Sequence, residues 1–200
     1  MIFLSEFALS DWAAFVSFKV YEGNLGLVAK DNEIIKYTIK DGIIMAKSTN
    51  KTKTETKSTI EQLLNREVAN LNVLYVKLHN YHWYVKGSNF FTLHNKFEEL
   101  YNTVSLQMDE VAERLLTIKG SPAATMKEYL DLASIQEASG GEDPKTMVQN
   151  LIEDFATLSE EYVEGIEAAE EAGDGPTADM LTGFQADLEK HIWMLRSYLA

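Results

Sequence analysis

The chain has 200 residues, an ordinary apolar fraction of 46% and a formal net charge of −13. It contains no cysteine, which excludes disulfides, iron–sulfur clusters and thiolate zinc sites. An acidic body draws cations rather than nucleic acid, and the sequence has no run of about eighteen apolar residues that would cross a membrane.

The charge is unevenly placed. Residues 1–44 hold four lysines and six acids, residues 45–57 four lysines and one glutamate, and residues 58–200 most of the acidic side chains. The apolar start is a poor signal peptide, because Glu6 and Asp11 precede the first basic residue, Lys19. From Leu25 to Ile44 the pattern holds short β-like runs, notably Glu33 to Ile39, with turn signals at Gly23-Asn24 and Asp41-Gly42. Residues 45–57 are rich in Lys and Thr, low in complexity and expected to be a flexible tail. Residues 1–44 are an extension with two readings. Either they lie upstream of a physiological start at Met45, or they form an accessory segment of unknown role.

At Ser58 the pattern turns helical. Ser58-x-x-Glu61 reads as a capping box, and apolar residues then recur at steps of three and four from Ile60 to Val85. Gly87-Ser88-Asn89 ends this helix. A second helix runs to Ile118 and stops at Lys119-Gly120-Ser121-Pro122. A short helical piece, Met126 to Leu132, precedes the turn Ser139-Gly140-Gly141. Asp143-Pro144 caps a third long helix that reaches about Ala172. Gly173-Asp174-Gly175-Pro176 breaks it, and a fourth follows from Thr177 to Leu199. The predicted fold class for residues 58–200 is all-α, a ferritin-like four-helix bundle with a short helix in the connection between helices two and three.

The second helix carries the most informative pattern. Leu93, Phe97, Leu100, Val104, Met108, Val111 and Leu115 form its apolar face. Beside that face run His94, Glu98, Asp109 and Glu113. With His94 at zero and roughly 100° per residue, Glu98 falls near ~40°, Asp109 near ~60° and Glu113 near ~100°. Glu98 and Asp109 are about 16 Å apart along the axis, too far to share one ion at bond lengths near ~2 Å. The strip therefore reads as two half-sites. A twofold axis near Thr103 and Val104 would join the first half of one copy to the second half of another. The plainer alternative is a solvated helix surface with ordinary i,i+4 pairs. No histidine has Glu three residues before it, so a Glu-x-x-His di-iron site inside one bundle is not expected. His82 and His79 compete to supply a further ligand from the first helix; either could instead be a core histidine. Mixed histidine and carboxylate donors suit iron, and less selectively manganese or zinc.

Several motifs, in order, resemble the Dps family of DNA-protecting mini-ferritins. They are Asn70-Leu-Asn-Val, His79-Asn-Tyr-His-Trp-Tyr-Val-Lys-Gly, Asn89-Phe-Phe-Thr-Leu-His94, Met108-Asp-Glu-Val-Ala-Glu-Arg114-Leu-Leu, Gly120-Ser-Pro and Lys190-His-Ile-Trp-Met194. The resemblance spans about Ser58 to Ala200 and leaves out residues 1–44. It implies a cytoplasmic shell of twelve subunits that oxidises Fe(II), preferably with hydrogen peroxide rather than oxygen, and stores Fe(III) mineral. It implies that His82, His94 and Glu98 of one subunit meet Asp109 and Glu113 of a twofold mate as metal ligands and catalytic residues. Many members have Asp at the Glu98 position, so a direct ligand and a group acting through water both remain open there. Trp83 and Trp193 match tryptophans near the site, or are core packing. Asp174 and Asp179, joined by Glu170, would line an acidic iron-entry pore, or be a solvated helix end. Lys47, Lys51, Lys53 and Lys57 could bind DNA as repeated weak contacts, which would place the shell on the nucleoid. Two rival readings are a DNA-compacting shell with an incidental metal site, and a helical interaction protein without metal.

Overall fold

The computed structural model describes residues 17–21, 24–28, 34–40, 43–48 and 53–200, with side chains from Thr59 onward. The chain divides into two units, Met1–Thr52 and Lys53–Ala200. The first contains four strands, β1 (Ser17–Tyr21), β2 (Asn24–Val28), β3 (Ile34–Lys40) and β4 (Ile43–Ser48). They pair in chain order, all antiparallel. Lys40 pairs with Ile43 across the Asp41-Gly42 turn signal, a spacing that suits a two-residue hairpin. The β-like runs expected between Leu25 and Ile44 coincide with strands here, whereas β1 and the pairing into one sheet were not expected. The apolar residues 1–16 lie outside the described residues.

The second unit contains helices α1 (Lys53–Tyr84), α2 (Phe90–Thr117), α3 (Met126–Leu132), α4 (Pro144–Ala172) and α5 (Gly175–Leu199). Its four long helices and one short one are the all-α bundle expected for this region. Both expected boundaries of the 45–57 tail move: β4 crosses the 44/45 junction, and α1 begins before Ser58. Ser58 and Glu61 therefore lie inside a helix and do not form its capping box. A helix anchored by a packed stretch extends outward at little cost through Lys, Thr and Glu, none of which breaks it. Glu61 is used elsewhere, accepting the Ser121 amide at 2.9 Å.

Each long helix turns one apolar stripe inward. On α2 the buried set is Leu93, Phe97, Leu100, Val104, Gln107, Val111 and Leu115. Gln107, not Met108, completes the three–four spacing, and Met108 packs on its shoulder. Gly87 (φ 101°) lets α1 fold back on α2 as a hairpin. The α2 C-terminus closes as a Schellman motif, with the Gly120 amide on the Leu115 carbonyl and the Lys119 amide on Leu116. Lys119 (φ 63°) takes the left-handed position that the sequence pattern assigned to Gly120. Gly120 is needed for another reason: a Cβ there would sit 3.1 Å from Leu115 Cδ2 and 3.2 Å from Glu61 Cδ.

The long connection is set by polar pairs between α1 and α4. Asn70 donates to Glu161, Lys77 to Asp154 and Asn150 to the Tyr81 hydroxyl. Residue numbers rise along α1 as they fall along α4, so these helices are antiparallel. Because α2 also runs antiparallel to α1, α2 and α4 are parallel, and their connection must return the length of the bundle. Two α1 asparagines pin it: Asn65 accepts the Ala123 amide at 2.6 Å, and Asn70 accepts the Ser134 amide at 2.8 Å. Among the described residues, no helix is long and apolar enough to cross a membrane.

Candidate metal centre

The α1–α2 hairpin brings the last turn of α1 against the first turns of α2. His82 and His94 meet there with rings stacked at 3.7 Å and 20° between planes. Each Nδ1 reaches the backbone carbonyl of the other residue, at 2.9 Å for His82 and 2.8 Å for His94. A carbonyl only accepts, so each Nδ1 carries the proton. That leaves a lone pair on each Nε2, the atom a metal takes. Glu98 lies one turn beyond His94, and ligand atoms of the three residues fall within 4.8 Å of one another. Both imidazoles are partly buried while Glu98 is exposed. The cluster is thus preorganised on its protein side and open outward.

The other histidines fall apart from this group. His79 donates from Nδ1 to the Tyr75 carbonyl at 2.9 Å, and its ring stacks on Tyr101 at 4.0 Å. His191, on α5, lies 3.4 Å from Lys96 Nζ; burial, then the lysine charge, lowers its pKa. Tyr101 meets the His82 ring edge-on at 5.4 Å. Desolvation, then the Glu98 charge, raises its phenol above the ordinary value. Trp83 is 67% exposed and meets His79 edge-on, and Trp193 is 65% exposed in a groove between α4 and α5. Neither tryptophan is core packing in the single chain.

Asp109 and Glu113 are exposed on the distal half of α2. They do not join His82, His94 and Glu98 within one chain, as their axial separation requires. Their neighbour Arg114 turns to the α4–α5 junction, where it pairs with Asp174 at 2.5 Å and donates to Thr177 Oγ1 at 2.8 Å. Asp174 also caps α5, accepting from the Thr177 amide at 3.3 Å and, separately, from the Thr177 hydroxyl at 2.6 Å. Its carboxylate is therefore engaged, whereas Glu170 and Asp179 are exposed. The Arg114 link carries no sequence signal, since an arginine after a glutamate on a helix is ordinary. Lys47 falls in β4, and Lys53 and Lys57 fall in α1. Lys51 lies outside the described residues.

The ferritin-like domain family model matches residues 61–200. General stress protein 20U of Bacillus subtilis is 54% identical over 138 residues, covering 69% of this chain and 95% of that protein. DNA protection during starvation protein 2 of Bacillus anthracis is 52% identical over 138 residues, covering 69% and 94%. The crystal structure of a Dps protein from Bacillus brevis superposes with a TM-score of 0.72 at 52% identity, covering 76% of this chain and all of that one. With half the residues identical over nearly the full length of these relatives, the chain belongs to the Dps family of ferritin-like proteins.

Proposed function

We propose that this protein is a ferroxidase and iron store: a cytoplasmic shell of twelve subunits that oxidises Fe(II) with hydrogen peroxide, or more slowly with oxygen, and holds the Fe(III) mineral inside. The observation that carries the reading is the crossed His82–His94 pair, which presents two Nε2 lone pairs beside Glu98 on the bundle's outer face. Three donors open on one side form half of a site. The second half is Asp109 and Glu113 of the partner subunit, across a twofold axis at the middle of α2. Leu106, 74% exposed near that midpoint, gives the contact an apolar centre. Histidine and carboxylate donors without thiolate suit Fe(II) as substrate.

In the assembled site the imidazoles hold iron in a fixed direction, because their Nδ1 hydrogen bonds lock both rings. The carboxylates balance the rising positive charge on oxidation. Each peroxide takes one electron from each of two Fe(II) and gains two protons, so the O–O bond ends as two waters and no hydroxyl radical leaves. Glu170 and Asp179, exposed around the α4–α5 junction, would draw Fe²⁺ inward with Asp174. Protection of DNA, named for several relatives, follows from removing peroxide and free iron together.

The test is anaerobic loading with Fe²⁺, then addition of peroxide while Fe(III) absorbance is followed. Fast oxidation that is lost in His94→Ala is the expected result. Oxidation no faster than that of free iron would remove the ferroxidase reading and leave DNA compaction as the leading one. Direct DNA contact rests on Lys47, Lys51, Lys53 and Lys57. Deleting residues 45–57 should abolish any gel shift at low salt, and a shift that persists would rule these lysines out.

A further inference from the structure

One buried polar cluster lies apart from the metal centre. Glu67 on α1 is 2% exposed, and neither of its carboxylate oxygens has a hydrogen-bond partner. The hydroxyl of fully buried Tyr162 on α4 is also unpartnered. Beside them Glu161 is already engaged: Asn70 Nδ2 donates to one oxygen at 2.6 Å, and Arg66 Nε lies 3.2 Å from the other. Arg66 also pairs with Glu164 at 2.9 Å and stays 4.0 Å from Glu67. The connection after α3 presents Ser134, whose amide fixes Asn70 at 2.8 Å, and α5 presents the apolar ring of Phe184 to Tyr162. One cation thus serves three carboxylates.

A carboxylate buried without hydrogen bonds beside a second carboxylate is too costly to stay charged. A metal ion is the competing way to neutralise it. That fits poorly, because Glu161 is occupied, Arg66 stands nearby, and only Glu67 and Tyr162 remain as donors. We infer that Glu67 is held as a neutral carboxylic acid beside Glu161 at the α1–α4 contact, which makes that contact a pH-sensitive element of the bundle. Burial, then the Glu161 charge, pushes Glu67 well above the ordinary carboxylate range, against weaker pulls from Arg66 and Asn70. Burial, then the negative charge carried by the Glu67–Glu161 pair, pushes the Tyr162 phenol up, so it remains protonated. An acid raised in the folded state stabilises the fold fully below its unfolded value, near ~4.3 for glutamate. That stability is lost as pH climbs through the folded value.

The test is infrared spectroscopy of the assembled full-length protein carrying isotope-labelled glutamate, beside Glu67→Gln, with thermal midpoints measured across pH. A protonated carboxyl band at neutral pH in wild type, absent from Glu67→Gln, is the expected result. The variant's midpoint should also gain on wild type as pH rises, because glutamine keeps the neutral shape and cannot ionise. Lack of the band in wild type would overturn the inference, as would a midpoint gap that does not change with pH. In a His94→Ala background, a Mn²⁺-dependent rise in midpoint that Glu67→Gln abolishes would replace the proton with a cation.

Discussion

His82 and His94 each hold the other's carbonyl, so neither is an independent ligand. Removing one ring leaves the other residue's carbonyl without its donor and the remaining ring without its stacking surface. The single variants His82→Ala and His94→Ala should therefore each lose most Fe²⁺ affinity, and the double variant little more than either. Anaerobic titration calorimetry measures this; additive losses would contradict the coupled pair. Glu98→Asp should keep oxidation within a few-fold of wild type, whereas Glu98→Gln should lose it, which separates carboxylate charge from reach. At this scale the donors of α2 were legible because i,i+4 spacing fixes a face. Spacing alone left His79 and His82 both open, since a three-residue step on one helix leaves both beside the same neighbour; the motif resemblance pointed to His82. In the hairpin His79 goes to Tyr75 and Tyr101, and His82 to His94. Glu67 went unnoticed although it interrupts the apolar steps around Leu64 and Leu71. A charged residue at such a position reads as surface until its partner helix is known.

The helices show the same division between local and tertiary information. The breaks at Gly87, Gly120 and Gly173 and the Asp143-Pro144 start were legible from turn and cap chemistry. The start of α1 and the inward turn of Gln107 were not, because packing against other helices overrides local preference there. Lys77 and Asp154 form a buried pair at 2.6 Å between α1 and α4. Asp154→Ala should cost about 3–5 kcal/mol by leaving Lys77 uncompensated, while Lys77→Met with Asp154→Leu should be close to neutral. Chemical denaturation of matched assemblies reads both values. Gly165 tests the α4–α5 contact, since a Cβ there would sit 2.6 Å from Leu181 Cδ1. Gly165→Ala should destabilise by about 1–3 kcal/mol through this overpacking. An unchanged melting temperature would mean that Leu181 can move aside freely.

For the whole molecule, the decisive feature is that His94 and Glu98 share one face of α2 with Asp109 and Glu113, and that Glu98 and Asp109 lie about 16 Å apart along it. No folding of a single chain joins them, so the proposed five-ligand site would need two copies. The most direct measurement is a complementation of iron oxidation. His94→Ala damages one half-site and Asp109→Ala the other. Each variant assembled alone should lose peroxide-driven Fe(II) oxidation. Co-expressed with separate tags and purified as mixed shells, they should regain roughly a quarter of the wild-type sites, because random pairing makes about half the interfaces mixed and each mixed interface holds one intact site of its two. Mixed shells as inactive as either parent, or full activity in either parent alone, would contradict a site shared between subunits.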